Sequence, residues 1–111
     1  MPVLPNAKRA FVPMEKLVDY VLNPEHPVGK HKAAVFEVVL GITVVDADYF
    51  RDTILEAVLT QEAIPTKLDE FGQRYQMEFE VERNGRSATI LTSWILEHSE
   101  HSPRLTSCYI K

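Results

Sequence analysis

The stretch Arg74–Glu97, RYQMEFEVERNGRSATILTSWILE, decides the fold of this chain. Its first half alternates an apolar set (Tyr75, Met77, Phe79, Val81) with a polar set (Gln76, Glu78, Glu80, Glu82). Strict alternation is typical of a strand with one buried face. Asn84-Gly85 predicts a two-residue hairpin turn, so Arg86–Glu97 is predicted as the return strand. Its inward residues are expected to be Ala88, Ile90, Thr92, Trp94 and Leu96.

Two further strands are predicted beside this hairpin. Arg104–Ile110 follows a polar loop at His98–Pro103 and closes the sheet, and Thr66–Phe71 forms a short strand at one edge. Because side chains alternate along a strand, the closing strand is predicted to have two faces, one with Arg104, Thr106 and Cys108 and the other with Leu105, Ser107 and Tyr109. The strands together predict a three- to four-stranded antiparallel β-meander.

Three helices are predicted before the sheet. The first runs from Pro13 to Leu22, because proline suits the first helical turn and Asn23-Pro24 stops the helix. The second runs from about Gly29 or Lys30 to Leu40, and the third begins between Thr43 and Asp46 and fades after Thr60. The expected fold class is α+β, with three N-terminal helices packed on the meander in a single domain over residues 1–111.

Composition restricts the function classes. The 111 residues carry 12 basic and 16 acidic side chains, a formal charge of −4. This negative charge argues against a protein that coats nucleic acid, because such proteins bind by neutralising phosphates. It permits a local basic site on an acidic protein. Cys108 is the only cysteine, so no disulfide or cysteine metal cluster is predicted and a reducing compartment is favoured. With no leader and no membrane-length apolar run, we expect a cytoplasmic protein without membrane contact or cofactor.

The turn before the second helix is the first candidate site. It reads Asn23-Pro24-Glu25-His26-Pro27-Val28-Gly29-Lys30-His31-Lys32. Cations at a helix N-terminus oppose the helix dipole, at about 0.3–1 kcal/mol each, whereas the free N–H groups there favour an anion. The pattern predicts an anion-binding site formed by Gly29, Lys30, Lys32 and, from the last strand, Arg104. The alternative is a solvated basic turn.

Two further candidates lie near that site. His26, between two prolines, is a candidate general acid or base; the alternative is a turn histidine bonded to a nearby backbone carbonyl. Arg104 and Thr106 could bind an anion together, since arginine offers a planar fork of donors. The alternative for Arg104 is an ion pair with a strand carboxylate.

Three other polar features are predicted to be structural. The loop His98–His101 contains two histidines and a glutamate, but no element fixes them as ligands, so no metal site is predicted. Cys108 has no histidine partner in the pattern and is expected to be a small apolar filler. The row Glu78, Glu80, Glu82 is expected to be a solvated sheet face, with contact to a basic partner as the alternative.

Together these motifs resemble a family of small bacterial domains of unknown function, which also occurs at the C-termini of large toxin-like proteins. The similarity covers most of the chain. Its residues are Leu4-Pro5-Asn6, Leu22-Asn23-Pro24, His26-Pro27, Gly29, Lys32-Ala33, Phe36, Leu40-Gly41, Phe71-Gly72, Tyr75, Trp94-Ile95, Pro103-Arg104-Leu105-Thr106 and Tyr109. The family carries no established activity that the resemblance could transfer.

A looser similarity adds a mechanism. Helices followed by an antiparallel sheet, with the ending P-R-L-T-x-x-Y, are similar to the compact RNase toxins of the barnase, colicin and RelE kind. This resemblance implies catalytic residues at His26, Lys32, Arg104, Thr106 and Tyr109. The chain departs from such toxins in its negative charge and in its last three residues, Tyr109-Ile110-Lys111.

Two function hypotheses from different classes follow. The first is a metal-independent ribonuclease acting on RNA, in which His26 moves protons, Lys32 and Arg104 hold the phosphate, and Thr106 or Tyr109 orients it. The second is a non-catalytic protein-interaction module, such as one half of a toxin–antitoxin-like pair. It would bind a cognate protein partner through the acidic strand face or an open sheet edge. Binding of a small anionic ligand without chemistry is a third alternative.

Overall fold

The structure is a computed structural model that describes residues 2–111. Three helices precede four strands: α1 (Met14–Lys16), α2 (Lys30–Leu40), α3 (Ala47–Val58), β1 (Ala63–Leu68), β2 (Gly72–Arg83), β3 (Arg86–Glu97) and β4 (Arg104–Ile110). Short 3₁₀ turns lie at Ala7–Arg9 and Val44–Asp46, and α1 continues as a π-helical turn over Leu17–Val21. The predicted α+β fold is confirmed. No helix within residues 2–111 has the length and apolar character needed to cross a membrane.

The four strands form one antiparallel sheet in the order β1-β2-β3-β4. β2 and β3 pair along their whole length, from Gly72 opposite Glu97 to Arg83 opposite Arg86. Asn84 and Gly85 close this hairpin with φ angles of 55° and 76°. These left-handed values are the ones that a type I′ turn requires, so the predicted hairpin is confirmed.

The helices cover one face of the sheet and form the core with it. The bulkiest fully buried side chains include Trp94, Phe36, Phe50, Leu4, Leu17 and Leu40. The rings of Phe36 on α2 and Phe50 on α3 meet edge to face, with centroids 5.1 Å apart. Fully burying such a side chain contributes about 1.5–3 kcal/mol, so the apolar stripes of the helices hold them on the sheet.

The first strand begins three residues earlier than predicted. It spans Ala63–Leu68 rather than Thr66–Phe71. Pro65 is tolerated within it because β1 is an edge strand, where the missing N–H breaks no central ladder. The strand ends where it does because the Asp69 carboxylate accepts a hydrogen bond from the Phe71 N–H at 2.9 Å and bends the chain into a turn.

The predicted faces of the last strand are wrong. The pairing of β4 with β3 shifts register, which leaves Thr106 as an extra residue in β4. Such a β-bulge reverses the alternation of side chains on its two sides. Leu105 and Cys108 therefore both face the helices and are buried. Arg104 lies instead on the outer face of the sheet, as Tyr109 does.

Candidate functional site

His26 organises the turn that leads into α2. Its Nδ1 accepts hydrogen bonds from the backbone N–H groups of Val28 and Gly29, both at 3.0 Å. The ring packs edge-on against Tyr20, with centroids 4.5 Å apart. His26 thus bonds to backbone N–H groups, not to the carbonyl that the alternative interpretation expected. Because Nδ1 accepts, the ring proton of the neutral imidazole lies on Nε2, which takes part in no hydrogen bond among residues 2–111.

Gly29 contributes geometry rather than a free donor. It is buried, and its N–H is already engaged by His26. A Cβ at this position would lie 2.9 Å from the backbone oxygen of Tyr20, so the close approach of two chain segments requires glycine here. Of the predicted anion-binding residues, Lys30 and Lys32 remain exposed beyond it.

Lys32 connects the start of α2 to the last strand. Its Nζ lies 4.6 Å from the centroid of the Tyr109 ring. A cation at this distance from an aromatic face contributes about 0.5–1 kcal/mol at an exposed site. The ammonium of Lys32 and the Tyr109 ring, which is half-buried on the outer face of β4, therefore form one unit at the β4 edge.

Arg104 stands where two recesses meet at the start of β4. One, of about 420 Å³, is lined by Phe11, Pro13, Glu15, Lys16, Asp19, Tyr20, His26 and Arg104. The other, of about 400 Å³, is lined by Arg9, Ala10, Phe11, Ile95, Glu97, Glu100, Ser102 and Arg104. Phe11 is 54 % exposed although its backbone carbonyl accepts a hydrogen bond from the Leu105 N–H of β4 at 2.9 Å. We call the two recesses together the Arg104 cleft.

Glu97 is the site residue that the sequence analysis missed. Its Oε1 accepts a hydrogen bond from the Arg104 guanidinium at 2.8 Å, so Arg104 has the carboxylate partner given above as its alternative. The side chains of Arg104 and Glu97 remain 40 % and 42 % exposed. Exposed pairs contribute at most about 1 kcal/mol, so a phosphate could share or take this guanidinium at small cost. The sequence contained a signal for this pair, because Glu97 ends β3 and Arg104 begins β4 after a short loop.

The five predicted catalytic residues form a strip and not a single pocket. His26 and Arg104 line the same cleft, whereas Lys32 and Tyr109 contact each other further along β4. The β3 partners of Arg104 and Tyr109 are four residues apart, which corresponds to about 13 Å. Thr106 lies half-buried in the bulge between them. The strip therefore has room for more than one group of an extended ligand.

The remaining polar candidates stay outside this strip. Burial of Cys108 raises the pKa of its thiol, which suits the predicted apolar filler. The His98 ring is hydrogen-bonded to the backbone oxygen of Asp69 at 3.0 Å. Within residues 2–111, no three His, Cys, Asp or Glu side chains are arranged to hold a metal ion.

Residues 3–111 match DUF6883, a domain of unknown function, so the match covers almost the entire length. The chain belongs to the DUF6883 family. No curated protein and no solved structure matches this DUF6883 chain. The predicted membership in a family of unknown function is thus confirmed, while the likeness to RNase toxins stays a prediction.

Proposed function

We propose that this DUF6883 domain is a metal-independent ribonuclease whose substrate lies along the β4 edge. The Arg104 cleft carries the proposal, because it combines a guanidinium, a carboxylate 2.8 Å from it, an imidazole N–H and an exposed aromatic ring. Guanidinium groups bind phosphates through two parallel hydrogen bonds. Exposed rings stack on the bases of single-stranded nucleic acid. This set of groups suits a phosphodiester beside an unstacked base.

The proposed reaction uses the 2′-hydroxyl of the RNA as nucleophile. Glu97 accepts the proton of that hydroxyl while the 2′-oxygen of the RNA forms a bond to phosphorus. The bond to O5′ breaks, leaving a 2′,3′-cyclic phosphate, and the departing oxygen takes a proton from water. Arg104 stabilises the charge on the phosphoryl oxygens. The His26 Nε2–H donates a hydrogen bond to the departing oxygen, which water protonates, because Nδ1 already accepts from two backbone N–H groups.

The other end of the strip holds a neighbouring nucleotide. The Tyr109 ring stacks on a base, and the Lys32 ammonium beside it approaches the next phosphate. Thr106, in the bulge between the two ends, supplies a hydroxyl toward the connecting backbone. A local strip of this kind is compatible with an acidic protein, since it neutralises only the phosphates of a few nucleotides.

The test is cleavage of 5′-labelled RNA by the purified protein in EDTA. Arg104→Ala is expected to lower the rate by roughly a hundredfold or more, because the developing charge loses its main donor. Lys32→Ala is expected to weaken RNA binding by roughly tenfold with a smaller effect on the bound rate. Arg51→Ala on α3 and Lys67→Ala on β1 are matched controls and should retain the wild-type rate. No cleavage by folded wild-type protein, or an equal loss in the controls, would reject the proposal.

A second candidate function, a non-catalytic protein-interaction module, is favoured by the outer edge of β1, which has no strand beside it among residues 2–111. Every β1 residue after Ala63 is exposed. Ile64 and Leu68 are 57 % and 69 % exposed, and Phe71 just beyond is 59 % exposed. An uncovered edge with apolar side chains is a template for a strand of a partner. Folded protein that cleaves none of several RNAs would favour this function over the first.

A further inference from the structure

One half of β2 lacks a strand neighbour on its outer side. Within residues 2–111, β1 pairs with β2 only over residues 73–77, so Glu78–Arg83 has no strand beside it there. The segment before β1 is bonded to the end of α3 instead, since the Thr60 and Gln61 N–H groups donate to the Ala57 carbonyl at 3.1 and 2.9 Å. α3 and the open half of β2 then enclose a groove of about 300 Å³, which we call the β2–α3 groove.

The hairpin geometry determines which backbone groups point into this groove. In a two-residue hairpin, the closing pair Arg83 and Arg86 exchange both hydrogen bonds with each other. Peptide groups at odd positions of β2 therefore point toward β3, and those of Glu80 and Glu82 point toward the open side. Among the described residues, the N–H and C=O groups of Glu80 and Glu82 have no backbone partner on the open side of β2. Two N–H and two C=O groups are thus available to an added strand.

The side chains around the groove separate into an apolar and an acidic part. Phe79 and Val81 are buried toward the helices. Glu80 and Glu82 are exposed on the outer face of the sheet, and Glu56 is exposed on α3. The groove therefore offers small apolar contacts on one side of an added strand and carboxylates on the other.

The cation nearest to these carboxylates in sequence is already engaged. The Arg83 guanidinium is 3.1 Å from Asp46 Oδ1 and donates to the Gly41 carbonyl at 2.7 Å. It is thus held at the end of the groove by α2 and the turn before α3. Glu80 accepts a hydrogen bond from the Thr89 hydroxyl, but among the described residues no cation pairs with Glu56, Glu80 or Glu82. These carboxylates can therefore attract a positively charged partner.

We propose that the β2–α3 groove binds an extended basic peptide as an added strand, with Lys or Arg at alternate positions and small apolar residues between them. Side chains of an added strand alternate between the two faces. Its basic residues would meet Glu80 and Glu82, and its apolar residues would meet Phe79 and Val81. The inference goes beyond the ribonuclease proposal, because the groove and the Arg104 cleft lie on opposite edges of the sheet.

A short synthetic peptide tests the chemistry. The probe is a fluorescein-labelled hexapeptide of alternating lysine and valine, titrated with the full chain and followed by anisotropy. We expect binding at least tenfold tighter than that of the same peptide with glutamate in place of lysine. The double variant Glu80→Lys/Glu82→Lys should weaken binding at least tenfold. The control Glu25→Lys/Glu37→Lys makes the same change in net charge at exposed positions outside the groove and should weaken it less than threefold.

Amide hydrogen exchange then locates the bound strand. Saturating peptide is expected to slow exchange at Glu80 and Glu82. Protection of Ile64–Leu68 instead, equal binding of the two peptides, or an equal loss in both double variants would overturn the proposal. So would a dimer of the chain that protects the same amides without peptide. RNA cleavage by Glu80→Lys/Glu82→Lys should equal that of the wild type. The peptide-binding proposal can therefore fail without affecting the ribonuclease proposal, and the reverse.

Discussion

Thr92 places a hydroxyl in the middle of an apolar core. Its side chain is fully buried on the helix-facing side of β3. The hydroxyl donates to the Met77 carbonyl at 3.1 Å and accepts from the Trp94 indole N–H at 2.8 Å. A buried polar group without a partner costs about 1–3 kcal/mol. Thr92 therefore allows Trp94, the largest side chain of the core, to be fully buried although the indole carries an N–H.

Removing this hydroxyl without changing shape tests its role. Thr92→Val is expected to lower the free energy of unfolding by about 1–3 kcal/mol, since the indole N–H is left unpaired. Thr92→Ser, which keeps the hydroxyl, should lose less. Urea denaturation followed by Trp94 fluorescence measures both. A valine variant as stable as wild type would show that the hydrogen-bonded relay contributes nothing.

Asp69 links the end of β1 to the start of β2 and gives the turn a pH dependence. The hydrogen bond from Arg74, followed by that from the Phe71 N–H, lowers its pKa from 3.8 to about 2. Because the folded state favours the carboxylate, its contribution is complete above about pH 4 and is lost as the pH falls toward 2. The Gly72 amide shift should follow this titration, and Asp69→Asn should abolish it. A midpoint at or above 3.8 would contradict the assignment.

At the scale of elements, α2 is held at both ends by groups outside the helix. Before the first turn of α2, the His26 Nδ1 accepts hydrogen bonds from the N–H groups of Val28 and Gly29. At its other end, Arg83 donates to the Gly41 carbonyl at 2.7 Å and Arg86 donates to the Val38 carbonyl at 2.8 Å. Cations near a helix C-terminus interact favourably with its dipole. The β2–β3 hairpin therefore fixes the end of α2, while the proline turn fixes its start.

The capping role of His26 can be separated from its proposed chemical role. His26→Ala is expected to destabilise the protein by about 1 kcal/mol, a typical value for a lost N-terminal cap. His26→Asn should keep most of that stability, because the asparagine Oδ1 can accept the same two N–H groups. Both variants should lose RNA cleavage, since neither has Nε2. Thermal unfolding and cleavage on the same samples decide this, and full cleavage by His26→Asn would remove His26 from the reaction.

Local patterns predicted the elements, whereas non-local contacts decided the details that sequence reasoning missed. Asn84-Gly85 and the flanking alternation specify the hairpin, because turn chemistry and period agree. Nothing in P-R-L-T marks Thr106 as a bulge, since the bulge follows from fitting Leu105 and Cys108 to the same core. The Asp69 turn is local, closed by hydrogen bonds from the Phe71 N–H and from Arg74 five residues away, but no strand or helix period marks it in the sequence. The fold class was therefore predictable, and the faces of β4 were not.

At the scale of the molecule, two candidate surfaces occupy opposite edges of one sheet. The β4 edge brings Arg104, His26, Lys32 and Tyr109 along one strip, while the β2 edge is open and acidic. The cations of the strip were predictable from the sequence, because their types and positions stand out. Glu97 was not predicted although it ends β3 just before the loop to β4, because a carboxylate at a strand end gains this role only through its hydrogen bond with Arg104.

The proposed ribonuclease depends on attack by the 2′-hydroxyl in the Arg104 cleft. The most direct measurement uses a DNA oligonucleotide with a single ribonucleotide, beside its all-DNA counterpart, incubated with the protein in EDTA. We expect one cut, after the ribonucleotide, with a 2′,3′-cyclic phosphate at the new end, and no cut with Arg104→Ala. Cleavage of the all-DNA strand, a different end group, or no cleavage by folded protein would rule out this reaction.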